Sequence, residues 1–153
     1  FSRMPCIAAP YNPKVGPLLQ LAIAPPSPPL VQNGAPAPAS KMHLYMALID
    51  TGASSTCIST RVVRDIKLRP TGKIPIAGVH GSTPTNTYQF VVAFLIPQKV
   101  DGSGNVLSEM LAFPVDGVEF TNSGCVFDVL LGRDILCLGS FSMALNGQFI
   151  ICF

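Results

Sequence analysis

The apolar runs along this chain are short, and proline or glycine breaks most of them. Residues 17–26 (PLLQLAIAPP) predict a strand closed by prolines. Residues 43–49 (HLYMALI) are apolar on both faces, which predicts a buried strand. Between them, 27–40 is rich in Pro, Ala, Ser and Gly. Proline blocks both helix and sheet pairing, so this stretch reads as a long exposed loop inserted in the domain. Its PPSPP run has polyproline character, and the solvated-linker reading is preferred to a recognition segment. The period changes at 59–68, where Val62, Val63 and Ile66 share one helical face. Ser59 or Thr60 can cap that helix, and Pro70 and Gly72 stop it.

Residues 73–97 predict two strands around a glycine-rich tip, and 101–105 (DGSGN) predict a turn. Strands follow at 106–115 and 126–132, then a short helical turn at 133–139 ending on Gly139. A closing hairpin joins 141–145 to 148–153 through Asn146-Gly147. The total, about eight strands and two short helices, is an all-β domain, a barrel or folded sheet. Residues 1–15 carry little pattern and read as an N-terminal arm; 16–153 form the single domain. One internal echo stands out. LYMALIDTG (44–52) and FDVLLGRD (127–134) each run apolar into a small residue and an acid, as two matching halves of a pseudo-symmetric core would.

Composition adds limits. With 153 residues the chain can bury one substantial core. Charged residues are 12% of it, against roughly 25% in an average domain. So little charge suggests that part of the surface is covered, for which a second copy is the simplest cover. The net charge is +2 with no basic tract, which argues against nucleic acid as a partner. The longest apolar stretch, 90–97, is too short to cross a bilayer as a helix. The five cysteines (6, 57, 125, 137 and 152) are odd in number and form no CxxC pair, so a reduced, cytoplasmic or intracellular setting is expected. Cys125, Cys137 and Cys152 then read as small core hydrophobes. His43 and His80 lie far apart, and no metal site or cofactor is expected.

The chemistry sits at 47–59, ALIDTGASSTCIS, where Asp50 ends an apolar run and is followed at once by Thr51 and Gly52. Hydrolysing a peptide bond without metal or covalent nucleophile needs a water, a base and an acid, and two adjacent carboxylates supply both roles. At about 3 Å two carboxylates cannot both ionise easily, so they share a proton and titrate as a unit. Gly52 allows the backbone to approach closely. The chain holds only one such triplet; VDGV at 115–118 lacks the middle residue. The economical source of the second carboxylate is Asp50 of another copy across a two-fold axis, so a homodimer follows.

ALIDTGASS and the independent segment LLGRDIL (130–136) together resemble the retropepsin-like aspartic proteases. In that family the active-site loop reads Asp-Thr/Ser-Gly-Ala/Ser after an apolar strand, and an apolar-apolar-Gly-Arg-Asn/Asp segment leads into a short helix. The resemblance covers about 16–153 and implies an acid-protease barrel with one lobe per chain. It implies an aspartic endopeptidase acting on extended peptides or polyproteins. Asp50, Thr51 and Gly52 are then catalytic, with Thr51 cross-bracing two loops. Ala53, Ser54, one or both of Cys57 and Ile58, and the flap residues Gly78, Val79, His80 and Gly81 contact substrate. Arg133 and Asp134 support the loop from behind, and 148–153 join the dimer sheet. Many viral members place an acid where this chain has Ser54, and it pairs with the arginine. Arg133 therefore needs another acceptor: a backbone carbonyl, Asp134 or Asp65. The competing reading is a non-catalytic dimerisation or peptide-binding module on the same fold.

Overall fold

In the computed structural model, which describes residues 4–26, 42–78, 81–100, 102–104 and 106–153, alternation decides what the barrel buries. Along strand β3 (His43–Ile49), Tyr45, Ala47 and Ile49 point inward, while Leu44 and Met46 are exposed. The expectation that this strand is buried on both faces is thus corrected: its outer face is apolar but open. Strand β2 (Leu18–Ala24) does bury both faces from Leu21 to Ala24, and it is paired along both edges, with β3 and β6.

The described residues form ten strands and two short helices. Strand β1 (Cys6–Pro10) precedes β2 and β3. It is followed by β4 (Cys57–Ser59), α1 (Thr60–Asp65), β5 (Gly72–Gly78), β6 (Gly81–Val100), β7 (Val106–Phe120), β8 (Val129–Leu131), α2 (Arg133–Leu136), β9 (Ser140–Ala144) and β10 (Gln148–Cys152). One sheet runs β2-β3-β8-β4-β7-β6-β5, and β2 also pairs with β6. That extra pairing closes six strands into a barrel and removes their edges. Phe90, Val92 and Phe94 of β6, with Leu21, Ile23, Val129 and Leu131, fill the inside. β5 stays outside the closure and forms a hairpin with β6, in register from Gly72↔Thr87 to Gly78↔Gly81. Val79 and His80 at its tip, and the proline-rich loop 27–40, lie outside the described residues.

The internal echo has a structural counterpart. β3 and β8 lie side by side and parallel, with Ala47↔Val129, Leu48↔Leu130 and Ile49↔Leu131 in register. Helix α1 is capped by Ser59, whose Oγ accepts the Val62 N–H at 3.4 Å. It ends before Pro70, at Ile66, because Lys67 turns to a positive φ of 55°.

The terminal segments differ most from expectation. The stretch read as an arm contains β1, which pairs antiparallel with β10 from Cys6↔Cys152 to Pro10↔Gln148. β10 pairs with β9 on its other side, giving a three-stranded sheet β1-β10-β9. Residues 148–152 therefore have both edges taken within one chain, and a partner strand has no free edge of β10 to join. Cys6 and Cys152 form a disulfide across a sequence separation of 146. This corrects the reading of the cysteines as uniformly reduced, and of Cys152 as a packed thiol. Cys125 and Cys137 are free but exposed, not core hydrophobes.

Candidate active site

Asp50 follows β3 directly, and its backbone N–H donates to the Leu131 carbonyl at 3.0 Å, extending the β3–β8 pairing by one residue. The chain then turns. The Gly52 N–H donates to Asp50 Oδ1 at 2.8 Å and the Ala53 N–H to the Asp50 carbonyl at 3.2 Å. A carboxylate held by its own turn has one oxygen fixed. Oδ2 accepts nothing from the described residues, and Asp50 is half-buried. The Thr51 hydroxyl is likewise without a partner among them, on an exposed residue.

The loop is tied down from behind at Thr56, which has no solvent exposure. Its backbone N–H donates to Asp134 Oδ2 at 2.9 Å and its hydroxyl donates to Asp134 Oδ1 at 2.7 Å. The same hydroxyl accepts the Gly132 N–H at 3.1 Å. The Arg133 N–H donates to the Ala53 carbonyl at 2.9 Å. Gly132 permits this contact: a Cβ there would lie 2.5 Å from the carbonyl carbon of Ser55. The LLGRD segment thus grips the Asp50 loop through Thr56 and two backbone N–H groups. Asp134 is the side chain that braces. The Arg133 side chain bonds to no described residue and is exposed. Asp65, one of its expected acceptors, instead pairs with Arg61 at 3.6 Å and accepts from Tyr45 at 3.2 Å.

Thr56 was legible only as a small polar residue in a loop. Its role depends on a contact 78 residues away, although a threonine about to enter a strand beside a Gly-Arg-Asp turn is a usable signal. Asp128 was also missed. It is 8% exposed, and accepts from Ser59 Oγ at 2.7 Å, Arg61 Nη1 at 3.0 Å and Asn122 Nδ2 at 3.3 Å. Through Arg61 and Asp65 this chain of contacts reaches Tyr45, whose hydroxyl is pushed up to about 12, by burial first and then by the Asp65 charge. It fixes α1 against β3 and β8, the strand pair that presents Asp50.

In front of the loop lies a cleft of about 480 Å³, walled by Gly52–Ser55 and Cys57 on one side, Ile74–Ala77 of β5 on the other, and Val118. Ala53, Ser54 and Cys57 line it. Ile58 does not; it is fully buried in the core, so its assignment as a substrate contact is corrected. Adjacent strand residues face opposite ways, and only one of the two could reach the cleft. Gly78 and Gly81 face each other at the end of the hairpin, with Gly81 at φ 117°. Among the described residues the cleft wall offers no carboxylate, and its one titratable side chain is Cys57. Burial, then the negative charges of Asp134 and Asp50, push the Cys57 thiol up to about 11. A separate, more voluminous hollow of about 570 Å³ near Pro26 and Pro114 holds, among the described residues, a single carboxylate, Asp116, and no second ionisable or nucleophilic side chain. Among the described residues no cluster of three His, Cys, Asp or Glu could hold a metal, and no helix is long and apolar enough to cross a membrane.

The closed six-stranded barrel, with its Asp-Thr-Gly turn gripped by a Gly-Arg-Asp turn, has the fold of the retropepsin-like aspartic proteases. The crystal structure of a retropepsin-like aspartic protease from Rickettsia conorii aligns with a TM-score of 0.54 at 13% identity, covering 99% of this chain and 93% of that one. EIAV protease, solved in complex with an inhibitor, aligns with a TM-score of 0.45 at 20% identity, over 84% of this chain and 92% of that one. No curated protein matches the sequence. The sequence model of the aspartyl protease family matches residues 40–135, well over half of the chain, and the chain belongs to that family.

Proposed function

We propose that this chain is an aspartic endopeptidase, active as a homodimer in which each copy supplies one Asp50 to a shared water. The carrying observation is the half-built site. Asp50 has one oxygen fixed by the Gly52 N–H at 2.8 Å and one without a partner among the described residues, none of which brings a carboxylate to the wall of the cleft beside it. A second copy across a two-fold axis supplies the missing acid and brings two unpartnered Thr51 hydroxyls together. With one proton shared between the carboxylates, the ionised partner takes a proton from the attacking water. The protonated partner stabilises the oxygen of the scissile carbonyl as charge develops on it. The β5–β6 hairpin, whose Ile74–Ala77 segment faces the loop, serves as the flap that covers an extended peptide. Ile74, Ile76, Ala77, Cys57 and Val118 make an uncharged wall, which suits apolar side chains beside the cut bond.

Incubation with an unstructured polypeptide across pH 4–7 tests the reading. Cutting is expected from the wild type, and none from Asp50→Asn with an unchanged circular dichroism spectrum. Cleavage that persists in Asp50→Asn, or an active species that is strictly monomeric by sedimentation, overturns it.

A further inference from the structure

Strand β6 serves the barrel and the hairpin in turn. From Thr87 onward it pairs with β7, starting at Thr87↔Val118. From Gly81 to Asn86 it pairs with β5 alone. β7 runs on past Val118 to Glu119 and Phe120, where it pairs with β4 alone. The two strands therefore fork at Thr87 and Val118, and the β5–β6 hairpin leaves the barrel as an arm. That arm carries Ile74–Ala77, the far wall of the cleft beside Asp50.

The arm has open space on both faces. A second hollow, of about 400 Å³, is lined by Lys73, Thr83–Asn86 and Glu119–Thr121. Neighbouring residues of a strand face opposite ways, and the two hollows divide them: Ile74 and Val118 line the cleft, Lys73 and Glu119 the second hollow. An arm that pairs only with itself and stands between two hollows is free to swing about its root. One chain of side chains crosses the fork. The Tyr88 hydroxyl donates to Glu119 Oε2 at 2.5 Å, and Asn86 Nδ2 donates to the same hydroxyl at 3.4 Å. Asn86 stands on the arm, Tyr88 in the barrel and Glu119 on β7 beyond the fork. Among the described residues no other side-chain hydrogen bond spans it. Tyr88 is buried, and burial, then the bond to Glu119, raises its hydroxyl above the ordinary value, so it stays a donor at neutral and acid pH.

We infer that Glu119, acting through Tyr88 and Asn86, is a positioning residue that latches the arm at its working angle over the cleft. The inference rests on the protease reading above and names residues which that reading leaves out. The latch lies on the face of the sheet away from Asp50, so it touches neither the reacting carboxylate nor the cleft wall. Its effect is on the population of arms already in place. When the latch is broken, substrate must bring the arm into position as it binds, and apparent affinity falls by the fraction of molecules that are ready.

Two readouts on Tyr88→Phe, Glu119→Ala, Glu119→Gln and the Tyr88→Phe/Glu119→Ala pair test this. The first is hydrogen exchange of the free protein, which needs no substrate. Amides of Ile74–Ala77 are expected to exchange faster in Tyr88→Phe and Glu119→Ala, with those of β2 and β3 unchanged. The second is steady-state cleavage of a quenched fluorogenic peptide, built on a bond that the wild type cuts in an unstructured polypeptide. KM is expected to rise about tenfold in both variants, with kcat within about twofold of wild type. The double variant is no worse than either single one, because both remove the same link. Glu119→Gln keeps an acceptor oxygen and stays within about threefold of wild type. Glu119 is half-buried at the hollow, so its alanine variant carries the test even where Tyr88→Phe fails to fold. Exchange at Ile74–Ala77 that is unmoved, or that quickens equally in β2 and β3, overturns the latch, as does a fall in kcat at constant KM. A wild type that cuts nothing overturns the protease reading, and exchange alone then decides the latch.

Discussion

Replacing Thr56 by valine keeps the shape of the side chain and removes its hydroxyl, which isolates the grip on the Asp50 loop. In the wild type that hydroxyl donates to Asp134 Oδ1 at 2.7 Å and accepts from Gly132 at 3.1 Å. Thr56 has no solvent exposure and Gly132 is buried, so water cannot replace the lost partner of the Gly132 N–H. An unsatisfied buried donor costs about 1–3 kcal/mol, and a hydrogen bond to a charged group contributes about 1.5–3. Asp134 keeps its bonds from the Thr56 and Ile135 N–H groups and is exposed, so part of the second cost is recovered from water. A net loss of about 3 kcal/mol is expected, or about 6–12 °C in Tm for a domain near this size. Thr56→Ser keeps both bonds and loses one methyl, for about 1 kcal/mol. Urea titration followed by far-ultraviolet circular dichroism, with an unchanged m-value, measures both variants. If valine is as stable as serine at this position, the hydroxyl bridge does not hold the loop and the account of the site is wrong.

Two further outcomes are expected. The Cys6–Cys152 bond closes a loop across a separation of 146 residues, and on chain entropy such a closure stabilises by about 5 kcal/mol. Dithiothreitol, or Cys6→Ser with Cys152→Ser, should lower the thermal midpoint by about 10–20 °C; an unmoved midpoint shows that the bridge is not formed in solution. The Cys57 thiol, raised to about 11 from an ordinary value of 9.0, should alkylate far more slowly at pH 9 than the exposed Cys125 and Cys137. Because its folded value is the higher one, its contribution to stability is intact below pH 9 and is lost as the pH climbs through 11. Equal rates for all three thiols at pH 9, read by peptide mass mapping, refute the burial that raises it.

Asp50 could be read from the sequence because its signal is local: a carboxylate, a small polar residue and a glycine after an apolar run. The β3–β8 pair was visible as an echo for the same reason, since matching strands repeat their composition. What could not be read depends on the phase of an alternation or on distant partners. Adjacent Cys57 and Ile58 must face opposite ways, yet the run of residues does not say which one meets the cleft. Ile74–Ala77 looked like ordinary hairpin residues until folding set them across from Gly52–Ser55 and Cys57. β1 is five residues, Cys-Ile-Ala-Ala-Pro, with Pro5 just before it, too short to declare itself without β10 next to it. Its cysteine finds a partner only when the whole chain has returned. Asp134 was singled out as support, but the arginine beside it drew the bracing role that its own backbone N–H performs instead.

The bond between Cys6 and Cys152 makes the polypeptide between them a covalent ring. Tension applied at both ends, by whatever is attached there, crosses from one sulfur to the other and bypasses the barrel entirely. Once the bridge is cut, the same pull falls on β1 and β10 at their adjoining ends, where an antiparallel pair opens one rung at a time. The thiol state of two residues therefore decides whether the lobe is shielded from mechanical load or is peeled apart from its ends.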